Sequence, residues 1–176
     1  MRVQWLIPVA AGASAVTQVA HATQYLSVEQ ARREAFPQAT QFIAGAAPDA
    51  STAAAVGAPA GWMPRVFDAR NGDAHLGWLI VDQVIGKSEL ITYSLALDAQ
   101  GAVLALEVLD YRESHGGEVR LAPWRRQFVG KTSHDAVTLN ADIRNISGAT
   151  LSCRHLTEGV QRLLRFYAVA LRTKPG

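Results

Sequence analysis

Ser147, Thr150, Ser152 and Cys153 place three hydroxyls and the chain's single thiol within the stretch Ile146-Ser147-Gly148-Ala149-Thr150-Leu151-Ser152-Cys153. Downstream, Leu156, Val160, Leu163, Leu164 and Tyr167 recur at the spacing of one helical face, which predicts a helix whose N-terminus falls on this stretch. The first N–H groups of a helix have no partner within it, and the helix dipole adds positive character there. Such an end therefore suits an anion such as phosphate. Gly148 and Ala149 leave the backbone uncluttered, and Thr150 presents a hydroxyl that could carry a phosphate-containing group. The same residues also fit a plainer reading, since Ser and Thr before an apolar periodic run are ordinary caps and Ser-Gly is an ordinary turn. A third chemistry is hydrolysis by Ser147 or Thr150 with His155. That histidine lies one or two helical turns on, and no acid is evidently placed to orient it.

Other chemistries find little support. The chain has no Gly-x-Ser-x-Gly elbow, no convincingly spaced pair of carboxylates and no glycine fingerprint for phosphate after a strand. His75, His115, His134 and His155 show neither close helical spacing nor an accompanying Cys or carboxylate set, so no metal site is expected. A single cysteine excludes an internal disulfide, and Cys153 is expected to be a buried small hydrophobe. A net charge of +2 with scattered basic residues leaves no footprint for nucleic acid.

Ser147-Gly148-Ala149-Thr150 followed by Leu151-Ser152 and a helix resembles the attachment motif of the FMN-binding domain family. That family is found in the C subunit of sodium-pumping NADH:quinone oxidoreductases and the G subunit of Rnf complexes. There, a flavin transferase esterifies the phosphate of FMN to the motif's threonine, so the resemblance implies Thr150 as acceptor, with Ser147, Gly148, Ala149, Leu151 and Ser152 around it. Two positions depart from the pattern. Arg144 stands three residues before Ser147, where the family often has an acid, and Cys153 stands where Ser or Thr is usual. Asp142, two residues further upstream, is the carboxylate that could stand in. The family also has a Glu-Thr-Pro-Gly-Leu-Gly loop that wraps the flavin ring. Tyr111-Arg112-Glu113-Ser114-His115-Gly116-Gly117-Glu118 keeps the acid, hydroxyl and glycine at Glu113, Ser114 and Gly116, while His115 and Gly117 depart. Read by itself, this stretch is a plain glycine turn. A helix ending in Phe128-Val129-Gly130-Lys131 matches a third family feature, and the resemblance runs from about Asn71 to Leu164.

The elements that must hold these residues can be read from periodicity. Val66 to Arg70, Leu76 to Ile85, Leu90 to Leu97 and Val103 to Tyr111 have strand character and are separated by Asn71-Gly72, Gly86-Lys87-Ser88 and Asp98-Ala99-Gln100-Gly101. This predicts an antiparallel meander of about four strands. Pro123 to Gly130 reads as a short helix with Trp124 and Phe128 on one face. Trp124 is either core or a stacking surface for a flavin, and Arg125, Arg126 and Lys131 are either a solvated face or a patch for an acidic partner. The expected fold is α+β, an antiparallel sheet with helices packed on one side or end.

Ahead of the meander, Ser27-Val28-Glu29-Gln30 has the capping-box pattern, with Val28, Ala31 and Ala35 on one side and Pro37 as the stop. From Ala44 to Gly61 the composition is that of a loop or linker in which the alanine run could hold a weak helix. Met1-Arg2, the apolar run Val3 to Ala20 and Ala20-His21-Ala22 have the three parts of a secretory signal cleaved after Ala22, the competing reading being a retained membrane anchor. The expected organisation is thus a signal peptide over 1–22, a helix and linker over 23–61, and an FMN-binding domain over 62–176. With 49% hydrophobic and 18% charged residues, the chain can bury one real core.

Taken with the resemblance, these readings imply an exported, periplasmic electron carrier with covalent FMN, more a carrier or subunit than a stand-alone enzyme. Its expected partners are a flavin transferase and a membrane redox partner: a cytochrome, a quinone-linked complex or a flavin-reducing one. The alternative is a secreted binding or assembly module of the same fold without flavin.

Overall fold

The computed structural model describes residues 23–172, so the proposed signal segment lies outside the described residues. Strands β3 (Arg65–Asn71), β4 (Ala74–Ile85), β5 (Leu90–Asp98) and β6 (Val103–Tyr111) form the expected meander, each pair antiparallel. Two edge strands complete a six-stranded sheet. β1 (Thr23–Gln24) pairs with β6, and β2 (Gln41–Ala44) pairs with β3. The edge strands are too short to show an alternation of their own, and they are strands because a neighbour offers an open row of N–H and C=O groups.

Alternation along the strands divides the core into two layers. Trp78, Ile80 and Val84 of β4 join Ile91, Tyr93, Leu95 and Leu97 of β5 beneath helix α4 (Thr150–Phe166). Cys153, Leu156, Val160, Leu163 and Leu164 of α4 complete that layer. A side chain at Gly159 would stand 2.5 Å from the Tyr93 hydroxyl, so glycine is what lets α4 lie this close to the sheet. The opposite face carries Leu79, Val81, Ala96 and Leu109 and is covered by Ala31 of helix α1 (Val28–Ala35) together with Phe36. The α+β class stands, with helices on both faces. Ser27 and Gln30 form the capping box on α1, bonding reciprocally at 3.1 and 2.8 Å.

The stretch expected to be a loop or linker takes up more structure than its composition suggested. The alanine run forms helix α2 (Ala50–Ala55), capped by Asp49. The backbone N–H of Thr52 and the hydroxyl of Ser51 hold the Asp49 carboxyl down to about 2. Val56 and Trp62, on either side of the turn that follows, are buried in the main core, where Trp62 meets Phe166 edge-on at 5.4 Å. Single apolar residues between Gly and Pro show no period, which is why composition alone reads as linker.

A buried charge fastens α4 to the sheet. Asp82 accepts hydrogen bonds from Trp62 Nε1 and Tyr93 Oη, both at 2.9 Å, and from Arg162 Nη2 of α4 at 3.0 Å. Both carboxylate oxygens that burial takes from water thereby have protein donors. Burial and the neighbouring Asp82 charge push the Tyr93 phenol well above its ordinary range.

Candidate functional site

Thr150 is the first residue of α4, and Ala149 is its N-cap, with no side chain capping the helix. The capping role that Ser147 or Thr150 could have filled is therefore not taken by either. The first intrahelical bond runs from the Cys153 N–H to the Ala149 carbonyl at 2.9 Å, leaving the preceding first-turn N–H groups for something outside the helix. Gly148 reaches this point at φ +87 with nothing within 4 Å of where a Cβ would stand, so it combines a left-handed turn with open space.

The three motif hydroxyls have different fates. Ser147 is exposed and lines no cavity around the motif. Ser152 is buried, and its Oγ lies 3.0 Å from the Tyr111 Oη, which in turn donates to the His115 carbonyl at 2.5 Å. Thr150 is half-buried, and its Oγ1 accepts a hydrogen bond from Asn145 Nδ2 at 3.0 Å. Thr150 lines a cavity of about 370 Å³ whose opposite wall is Glu113, Ser114 and Gly116, with Lys87 and Ser88 at its edge. The two loops singled out in the sequence thus close on one space, and Gly148, Ala149, Leu151 and Ser152 contribute to it.

Gly116 makes the closure possible. Its φ is +81, and a Cβ there would stand 2.8 Å from Tyr111 Oη and 3.1 Å from Ser152 Oγ. Gly117 has no such constraint, since a Cβ would meet only the guanidinium of Arg120. It lines a neighbouring groove of about 560 Å³ with Tyr25, Tyr111, Arg120 and Leu121, and this groove shares Gly116 and Gly148 with the Thr150 cavity. Arg120 lies 4.1 Å over the Tyr25 ring and donates to the Gly117 carbonyl at 2.8 Å. A larger groove of about 680 Å³ runs along Trp124, Lys131 and Arg144 on the other side of Asn145 and does not take in Thr150.

Charge around the site is mostly committed. Glu113 Oε1 accepts the N–H groups of Ser88 at 2.5 Å and Glu89 at 3.0 Å, so its carboxylate ties the β4–β5 turn to the glycine loop. Burial would raise its pKa, but the N–H groups of Glu89, Ser88 and Lys87 outweigh that and hold it below the ordinary value. Asp142 does not take the place of the acid that Arg144 replaces. Its carboxylate is turned to Lys131 Nζ at 3.0 Å and to the N–H groups of Val137 and Thr138 at 3.1 and 2.5 Å. Although burial opposes it, the Thr138 N–H and Lys131 hold Asp142 ionised below its usual range. Burial raises the Cys153 thiol, which is fully enclosed as expected.

Several sequence-stated roles are settled by partners from distant segments. Trp124 is buried against Phe128 at 5.1 Å, and its Nε1 donates to the Arg144 carbonyl at 2.8 Å, so it is core and anchor for the segment before the motif. The helix expected over Pro123 to Gly130 is helix α3 (Ala122–Arg125) followed by a 3-10 turn, Arg126–Phe128. Arg125 is ion-paired with Glu107 and Lys131 with Asp142, which leaves exposed Arg126 as the solvated member of that basic set. His155 directs Nδ1 at the carbonyls of Ile85 and Gly86, at 2.7 and 3.0 Å, and pairs with neither Ser147 nor Thr150. The hydrolytic reading loses its base. Asn145, Lys87 and Tyr111 were missed; none carries a local pattern that distinguishes it from a loop or strand residue.

Residues 86–165 match the family model of the FMN-binding domain. No curated protein matches the chain. The matched segment begins at the β4–β5 turn, somewhat later than the Asn71 start expected from the motifs, and contains both the glycine loop and the Thr150 helix terminus. Residues 86–165 thus carry the similarity to the FMN-binding domain family, and they hold the open cavity between those two loops, the hydroxyl on its wall and the uncapped helix end.

Proposed function

We propose that the protein is an exported electron carrier in which FMN is bound covalently through its phosphate to Thr150. One observation carries this reading. Of the three motif hydroxyls, Thr150 alone stands both at the uncapped start of α4 and on the wall of the cavity. Ser147 is outside it, and the Ser152 hydroxyl is bonded to Tyr111. The residues fit the group: the first-turn N–H groups and Lys87 would face a phosphate, and the groove of Tyr25, Arg120 and Leu121 would receive an aromatic ring. When bound, the flavin supplies the redox chemistry, and the chain supplies position, electrostatics and access.

Esterification of a hydroxyl by free phosphate is unfavourable in water, so the donor must be a flavin phosphoanhydride presented by a transferase. The Thr150 Oγ1–P bond forms, the anhydride P–O bond breaks, the departing nucleotide keeps its electron pair, and the hydroxyl proton passes to the transferase. Nothing is oxidised or reduced. Tethering keeps the cofactor at the site independently of its supply outside the cytoplasm, which is where the N-terminal sequence would send the chain. Electrons would then pass to or from a membrane redox partner.

Intact-mass analysis after incubation with a flavin transferase and its dinucleotide donor tests the assignment. The expected product is heavier by FMN less one water. Thr150→Ala should stay at the bare polypeptide mass and Thr150→Ser should be modified. An adduct that survives Thr150→Ala, or wild-type protein that stays unmodified, overturns the reading, the second outcome favouring a binding module of the same fold without flavin.

A further inference from the structure

We infer that Asn145 is a positioning residue for the modification of Thr150, acting as a neutral hydrogen-bond donor to the attacking oxygen. The inference rests on Thr150 being the acceptor. Asn145 Nδ2 stands 3.0 Å from Thr150 Oγ1, and among the described residues no other hydrogen bond reaches that hydroxyl. Oδ1 of the same amide is buried without any partner. An asparagine with a purely structural role would be expected to satisfy both ends, because a buried acceptor without a partner forfeits its hydration for nothing in return. Here one end is left unpaired while the other is held on the reactive oxygen.

The backbone around Asn145 is fixed from outside the motif. The Arg144 carbonyl accepts from Trp124 Nε1 and the Arg144 N–H donates to Gln127 Oε1, both at 2.8 Å. The amide is thus delivered from a segment anchored on α3 and the 3-10 turn that follows it. Because Asn145 donates, Oγ1 keeps its own proton free to leave toward a base. No group on the cavity wall is an evident base for it: Glu113 is bonded to the turn, and His115 Nδ1 lies 2.9 Å from Ser114 Oγ. The base therefore comes from the transferase. As the proton departs, negative charge grows on Oγ1, and the bond from Nδ2 becomes charge-assisted and stronger. That is stabilisation gained mainly in the transition state.

The test compares initial rates of flavin attachment to apo protein by intact mass, together with the thermal midpoint of each apo variant. Asn145→Leu should slow attachment by at least about tenfold, the rate equivalent of the weaker hydrogen bonds to charged groups. Its thermal midpoint should stay near wild type, since the orphaned Oδ1 disappears with the bond. Asn145→Asp keeps the shape but offers an ionised carboxylate in place of the donor, so it should be slow at neutral pH. Asp82→Asn, distant from the site, serves as the destabilised control. Wild-type rates in Asn145→Leu or Asn145→Asp, with Thr150→Ala still blank, overturn this inference and leave the acceptor assignment standing. So does a loss of rate in Asn145→Leu that only matches that of an equally destabilised Asp82→Asn. Modification of Thr150→Ala overturns the acceptor assignment and this inference with it.

Discussion

Tyr111 Oη lies 3.0 Å from Ser152 Oγ and gives its own proton to the carbonyl of His115 at 2.5 Å. One phenol thereby joins the end of β6, the glycine loop and the first turn of α4, the three parts that enclose the Thr150 cavity. Burial raises its pKa, so it remains a protonated donor throughout the ordinary pH range. Tyr111→Phe leaves the Ser152 hydroxyl and the His115 carbonyl without this partner and should lower unfolding stability by about 1–3 kcal/mol in urea titration. An unchanged denaturation midpoint would show that the phenol is not what holds the loops together.

The two glycines of the loop should respond differently. Gly116→Ala forces a side chain into a left-handed conformation and against Tyr111, and should cost at least about 2 kcal/mol. Gly117→Ala displaces only the movable Arg120 guanidinium and should cost less than about 1 kcal/mol. Paired denaturation curves check the order. Equal losses would mean that the close approach at Gly116 is not the constraint.

Acid should loosen the β4–β5 turn through Glu113. Its folded pKa lies below the ordinary value of 4.5, so its contribution is complete above that value and is lost as pH falls through the lower folded one. The amide protons of Ser88 and Glu89 should therefore lose protection, relative to their intrinsic exchange rates, as pH falls below that ordinary value in wild type. In Glu113→Gln this acid-dependent step should vanish. A step that persists in the variant assigns the effect to another group.

Removing the buried carboxylate of Asp82 should be the most damaging of these changes. Asp82→Ala strands Arg162 and leaves Trp62 and Tyr93 without their acceptor. A loss of about 3–5 kcal/mol is expected, measured by chemical denaturation of the apo protein. A loss below about 1 kcal/mol would place the anchoring of α4 in apolar contact alone.

The central strands, the capping box on α1 and the start of α4 were legible because each rests on local periodicity or on residues three or four apart. Strand β5, with Ile91, Tyr93, Leu95 and Leu97 all turned into one core layer, needs only its own alternation to be recognised. The Ser147 to Thr150 stretch was legible for the same reason, since a helix face downstream fixes where the helix must begin. Tertiary structure alone decided which motif hydroxyl is available, because the fate of Ser152 depends on Tyr111, a strand residue 41 positions earlier. Likewise, Glu113 is bound to a turn 24 and 25 residues away, and His155 to carbonyls 69 and 70 residues away. Arg125 and Lys131 looked free for a partner until Glu107 and Asp142 were placed beside them. Periodicity is written into neighbouring residues, whereas a hydrogen-bond partner is fixed by the register and packing of distant segments, which no single stretch of sequence contains.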